Sequence, residues 1–208
     1  MTAQVAGGAS YVDAYRKMRE GALYLIIASL LVGVGSIAVM TSGFFIEQAF
    51  FVAMASLIAV VVLIIVGGVI GLMGLRGRFV PGTRRLAELN PKFGTSSTLI
   101  YVGLFWGLIL MIIGALLLLV LIGAFIMIAA TILMILGYVG LIVLMFKLYD
   151  VEKSGLYLAA GVLFIIGIFI SIASFIAWIL LYVALGESIR KAEAMPPTPT
   201  APAPVTPS

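Results

Sequence analysis

The stretch Phe93–Phe146, FGTSSTLIYVGLFWGLILMIIGALLLLVLIGAFIMIAATILMILGYVGLIVLMF, runs for 54 residues without one Asp, Glu, Lys or Arg. Wound into one α-helix it would be roughly 80 Å long, against a hydrocarbon core of about 30 Å. It therefore has to fold back inside an apolar solvent. Leu121-Ile122-Gly123-Ala124 is the natural place, because glycine reaches backbone angles closed to other residues. The run reads as two membrane spans, 97–120 and 125–146.

Outward from this run, charges punctuate the chain and the gaps between them measure the other spans. Gly21 to Ile46 holds one over 22–40, and Gln48 to Leu75 holds one over 49–74. The last gap, Ser154 to Gly186, has 33 residues. Two full crossings need about 40, so it reads as one long tilted helix over 157–185. The predicted fold is all-α, a polytopic membrane bundle of five helices over 22–186. The first span is longer than a signal-peptide core and has no small-x-small site after it, so it reads as a retained anchor.

Composition agrees. Of 208 residues, 64% are hydrophobic and 10% charged, with a mean hydropathy of +1.31. A soluble domain is about half apolar and about a quarter charged.

The flanks are polar. Residues 1–21 form a cytoplasmic segment in which Ser10-Tyr11-Val12-Asp13 resembles a capping box. Tyr11, Tyr15 and Met18 then share a face, as on a helix lying at the interface or on an extension of the first span. Pro81-Gly82-Thr83 opens a short helix that Asn90-Pro91 closes. Residues 187–195 extend the last helix, and the Pro/Thr-rich tail 196–208 reads as extended and disordered.

Basic residues set the orientation. With the N-terminus inside, ten cations lie in inner segments (Arg16, Lys17, Arg19, Arg76, Arg78, Arg84, Arg85, Lys92, Lys147 and Lys153). Only Arg190 and Lys191 lie outside, which satisfies the positive-inside rule. Five spans then put the C-terminus outside, in a protein of the cytoplasmic membrane.

The chain contains no Cys and no His. That removes thiolate nucleophiles, imidazole bases and the usual ligands of zinc, haem and iron–sulfur clusters. No ionisable group falls inside a predicted span, so catalytic, metal and cofactor sites are not expected, and the protein does not read as an enzyme. What the spans do carry is glycine. Gly67 and Gly71, and Gly103 and Gly107 with Gly114, lie at spacings that let helices approach closely. Packing between neighbouring spans is their expected use, and a dimer seam the alternative. Ser171, Ser174 and Thr131 are the hydroxyls that a solute path would use.

The basic loop of Arg76, Arg78, Arg84, Arg85 and Lys92 is a candidate contact for anionic lipid head groups, at roughly 1 kcal/mol per cation. Its charge also serves as a topology signal. Nucleic acid is not an expected partner, because the patch is short and lacks a reading module.

Met18-Arg19-Glu20-Gly21-Ala22-Leu23-Tyr24-Leu25, Leu89-Asn90-Pro91-Lys92-Phe93-Gly94 and Leu148-Tyr149-Asp150 together resemble a family of archaeal multi-pass membrane proteins of unknown function. The resemblance spans roughly residues 10 to 190. It implies a host domain of life and a topology, and no site residues. The functional expectation is a non-catalytic structural or interaction component of the cytoplasmic membrane, as a homo-oligomer or within a larger membrane assembly. The alternative is a channel or carrier for a small neutral or lipid-like solute.

Overall fold

The computed structural model describes residues 3–42, 49–118 and 122–194, which are helical throughout their length apart from short breaks and contain no strand. Helix α1 runs unbroken over Ala3–Ser42. Ser10 and Asp13 therefore lie inside α1 and not at its start. Residues 11–21 continue without a break into the helix of the first predicted span, and Tyr15 and Met18, 2% and 0% exposed, face protein.

Helix α2, Ala49–Gly74, coincides with the predicted second span. It does not stop there. A π-helical turn, Leu75–Phe79, carries it into α3, Val80–Leu89. Pro81 has no N–H and its ring crowds the preceding turn of a regular helix, and the widened π turn lies where that crowding falls. The expected loop before Pro81 is thus helix. Asn90, at φ −145° and ψ 109°, ends α3, and its side chain accepts a bond from the Lys92 N–H at 3.1 Å.

After a 3₁₀ turn, Pro91–Phe93, come α4 (Gly94–Ile100), a second π turn (Tyr101–Trp106) and α5 (Gly107–Leu116). The chain then reverses. The Gly123 N–H donates to the Leu117 carbonyl at 3.1 Å, and α6 runs over Ile122–Glu152. The reversal lies a few residues earlier than predicted. Gly123 is needed there for contact, since a side chain would strike the Gly114 carbonyl and the Leu118 backbone.

The largest departure lies in the last gap. Where the sequence reading runs one helix over 157–185, the structure has two, α7 (Gly155–Gly167) and α8 (Ser171–Ala194), folded back on each other. Tyr157 bonds Ser188 through their hydroxyls at 2.8 Å, Phe164 meets Trp178 edge-on at 5.1 Å, and Gly167 gives room to Ser174. The gap, too short for two full crossings, holds the 13-residue α7 and the apolar first part of the 24-residue α8. The hairpin also brings Glu193 within 3.2 Å of Arg16, so residue 193 lies beside the N-terminal part of α1 and not at the opposite end. Lys153, at φ 53°, makes the turn that leads into α7.

The long helices form a ring in which each packs on the next, in the order α1, α2, α5, α6, α7, α8 and back to α1. Among the described residues four stretches are long and apolar enough to cross a membrane, Val61–Leu89, Pro91–Leu116, Ile122–Glu152 and Ser171–Ala194. Lipid offers no hydrophobic drive between helices, so close packing has to hold them. Phe79, Trp178 and Phe164 form an edge-to-face series at 5.5 and 5.1 Å, and such pairs are worth about 0.5–1.5 kcal/mol each beyond burial. The tail 196–208, Met195 and Glu47 lie outside the described residues.

Candidate functional site: a charged layer and an apolar chamber

Two features stand out, one at each level of the ring. The first is a charged layer at the end of the bundle where α1 begins its apolar run. One helical face after another of α1 meets a different neighbour. The Tyr11 hydroxyl reaches the Leu89 carbonyl at 3.5 Å, and Tyr15 donates to Glu152 at 2.6 Å. Arg16 pairs with Glu193 and Glu20 with Arg78. Asp13 takes Lys17 at 2.9 Å within the helix and Arg85 at 4.0 Å from α3. The Arg19 guanidinium lies 4.4 Å over the Tyr182 ring, with its Nε buried and unpartnered among the described residues. Exposed pairs of this kind contribute about 0–1 kcal/mol each, so the layer fixes position more than it stabilises. Tyr15 is the buried member. Burial first, then its bond to Glu152 and that carboxylate's charge, pushes its phenol well above the usual value.

Three of the five cations proposed for lipid contact have partners within the chain. Arg78 and Arg85 reach acids of α1, and Arg84 lies 4.2 Å over the Tyr101 ring. Arg76 and Lys92 are exposed, and the Lys92 carbonyl accepts from Lys147 at 2.5 Å. Arg84 and Tyr101 also border a cleft of about 410 Å³ with Glu88, Gly94, Ser97 and Thr98.

The glycines act within the chain. Gly67 faces Val32 and the Ala28 carbonyl, and Gly71 faces Leu108 and Ala28. Gly103 lies against the backbone of Gly137, Gly107 against Met134, and Gly114 against Met127. These contacts draw α2 onto α1, and α5 with its π turn onto α6.

The second feature is a chamber of about 420 Å³ inside the ring. Of the ring helices all but α7 border it, α1 through Ala28, α2 through Gly68, α5 through Met111, α6 through Met134 and α8 through Trp178. Among the described residues its wall is apolar apart from two hydroxyls, and both are engaged. Ser29 donates to the Ile26 carbonyl at 2.9 Å, and Tyr138 bonds Ser174 at 2.9 Å. Ser174 therefore serves helix packing, while Thr131 bonds the Met127 carbonyl and Ser171 is exposed beside the hairpin tip. Leu75 and Leu104, one from each π turn, line the end nearest the charged layer. Sequence reasoning missed the chamber, because lining residues scattered over five helices carry no common spacing. No group of three or more His, Cys, Asp or Glu side chains that could hold a metal ion occurs among the described residues.

Residues 12–208 match a family described as protein of unknown function, DUF973. No curated protein and no solved structure matches the chain.

Proposed function

We propose that this chain, which belongs to DUF973, a family of proteins of unknown function, is a non-catalytic multi-pass component of the cytoplasmic membrane. In this reading α1, α2, α5 with the helix leading into it, and α6 cross the bilayer, and the charged layer faces the cytoplasm. The pair α7–α8 is a hairpin that enters from that side and returns to it. At 1.5 Å per residue, the 13 residues of α7 reach about 20 Å, too short to cross and the usual length of a re-entrant segment.

The observation that carries the reading is the pairing of Arg16 with Glu193. It brings Arg190 and Lys191 to the same end as the other ten cations. The two exceptions to the positive-inside bias then disappear. Both termini are cytoplasmic in this arrangement, and the tail 196–208 follows α8 on that side.

Cysteine accessibility tests it directly, since the natural chain has no Cys. Single variants Ala3→Cys and Thr198→Cys should be labelled by an impermeant thiol reagent only after the membrane is opened. Glu47→Cys should be labelled from outside. Labelling of Thr198→Cys together with Glu47→Cys would restore five crossings with an external C-terminus.

A role as an oligomer or assembly subunit is part of the same reading. It is supported by the broad apolar outer face of α6, where Phe125, Ile128 and Ile132 are 76%, 60% and 63% exposed. Native mass spectrometry in mild detergent reads the stoichiometry, and a strictly monomeric protein would remove the homo-oligomeric form of the proposal.

A further inference from the structure

The chamber is closed toward the charged layer and open toward mid-membrane. At the closed end stand Leu75, Leu104 and Trp178, which are 2%, 4% and 5% exposed. Along one side, α8 packs on α1 and α7 packs on α6, so the hairpin fills the space between α1 and α6. It fills it only as far as its tip at residues 168–170. The bond from Tyr138 to Ser174 sets that tip about one helical turn above Tyr138. Met127, which also lines the chamber, lies three turns above Tyr138 on α6, beyond the tip. Among the described residues α1 and α6 form no packed pair of their own to close that upper part.

What lies at this opening follows from depth. The tip is apolar and outward-facing, with Phe169 84% and Ile170 54% exposed, and Ile172 beside it 70% exposed. At that level of a bilayer the surrounding medium is hydrocarbon. The wall has no charge, and its two hydroxyls are already bonded, so a polar solute entering would lose its hydration with no hydrogen bond to replace it. Met111, Met127 and Met134 offer a deformable lining suited to a flexible chain. Each of the two π turns among the described residues contributes one residue to this wall, Leu75 and Leu104, and such turns are frequent at functional sites.

We infer that the chamber takes up the hydrocarbon tail of a bilayer lipid, entering between α1 and α6 above the hairpin tip. The inference requires the bilayer setting proposed above, and it is independent of which face is cytoplasmic.

Trp178 is a built-in reporter, because the chain has only two tryptophans and the other, Trp106, is 47% exposed on the outer surface. The full chain carrying Trp106→Phe is reconstituted into phosphatidylcholine vesicles with or without dibrominated acyl chains. If a tail occupies the chamber, brominated vesicles should remove most of the Trp178 emission. Filling the space with Ser29→Phe, or independently with Met134→Phe, should restore it. A cooperative melt near that of the parent identifies which filled variant has folded. Emission indifferent to brominated chains would overturn the inference. So would equal loss in the parent and a folded filled variant, or quenching by aqueous iodide in place of brominated lipid, which would mean a wet chamber. The cysteine labelling is unaffected by any of these outcomes, so the two ideas can fail separately.

Discussion

The Tyr15 hydroxyl donates to the Glu152 carboxylate at 2.6 Å, joining the polar end of α1 to the last turn of α6 across 137 residues of chain. Tyr15 is 2% exposed while Glu152 is half-buried, so the bond is shielded on the phenol side and open to water on the carboxylate side. A bond to a charged acceptor contributes about 1.5–3 kcal/mol when intact. Tyr15→Phe keeps the ring and its packing and leaves Glu152 to find water. It should therefore lower stability by about 1–2 kcal/mol, read as a lower thermal midpoint in detergent. Glu152→Gln in the Tyr15→Phe background should add little further loss.

The same phenol predicts an alkaline limit. Its pKa in the folded protein lies above the ordinary value, through burial first and Glu152 second. Unfolded tyrosines ionise near pH 10. Above that pH the unfolded state has released a proton that the folded state still holds, so unfolding is favoured as pH rises. The contribution is fully present below about pH 10 and is lost above it. Melting curves from pH 8 to 11 should fall more steeply for the natural chain than for Tyr15→Phe. Parallel curves would show that Tyr15 is not the group responsible.

Glycines divide sharply by what surrounds them. A side chain at Gly103 would meet the backbone of Gly137, which cannot swing aside as a side chain tip can. At Gly77 nothing lies within 4 Å. Gly103→Ala should force α5 and its π turn away from α6 and cost about 2–4 kcal/mol, more than ordinary overpacking. Gly77→Ala should be neutral or stabilising by about 0.5–1 kcal/mol, because it removes only backbone freedom. Thermal melts of the two variants side by side should move in opposite directions or by very different amounts.

A helix over 49–74 was legible because charges bound the apolar stretch on both sides, but its continuation through the π turn into α3 was not. The fold-back of the 54-residue run was legible too, because bilayer thickness alone demands it. The hairpin at 168–170 was not legible. Ile166-Gly167-Ile168-Phe169-Ile170-Ser171 is as apolar as a span interior, since a turn inside lipid has no reason to be polar. Gly167 and Ser171 were its only markers, and both residues also suit an unbroken membrane helix. The side on which the chain ends depended on that turn. The cation loop shows the converse limit. Arg78, Arg84 and Arg85 read as a free basic patch until α1 and Tyr101 are placed beside them. Such pairings join residues far apart in sequence, and no local pattern encodes them.

The hairpin tip tests the depth of the whole arrangement. Phe169 is 84% exposed, and in water a charge there would be harmless or would aid solubility. At mid-bilayer an acidic side chain costs about 2.5–3.5 kcal/mol on insertion scales, since the short Asp stem cannot reach the interface. Phe169→Asp should therefore destabilise the protein in nanodiscs by about 2–3 kcal/mol, while Phe169→Leu should change it by less than about 0.5 kcal/mol. The penalty should shrink in detergent micelles, where water reaches further in. An unchanged midpoint for Phe169→Asp in nanodiscs would place the tip in water, and the reading of α7–α8 as a membrane-embedded hairpin would fall with it.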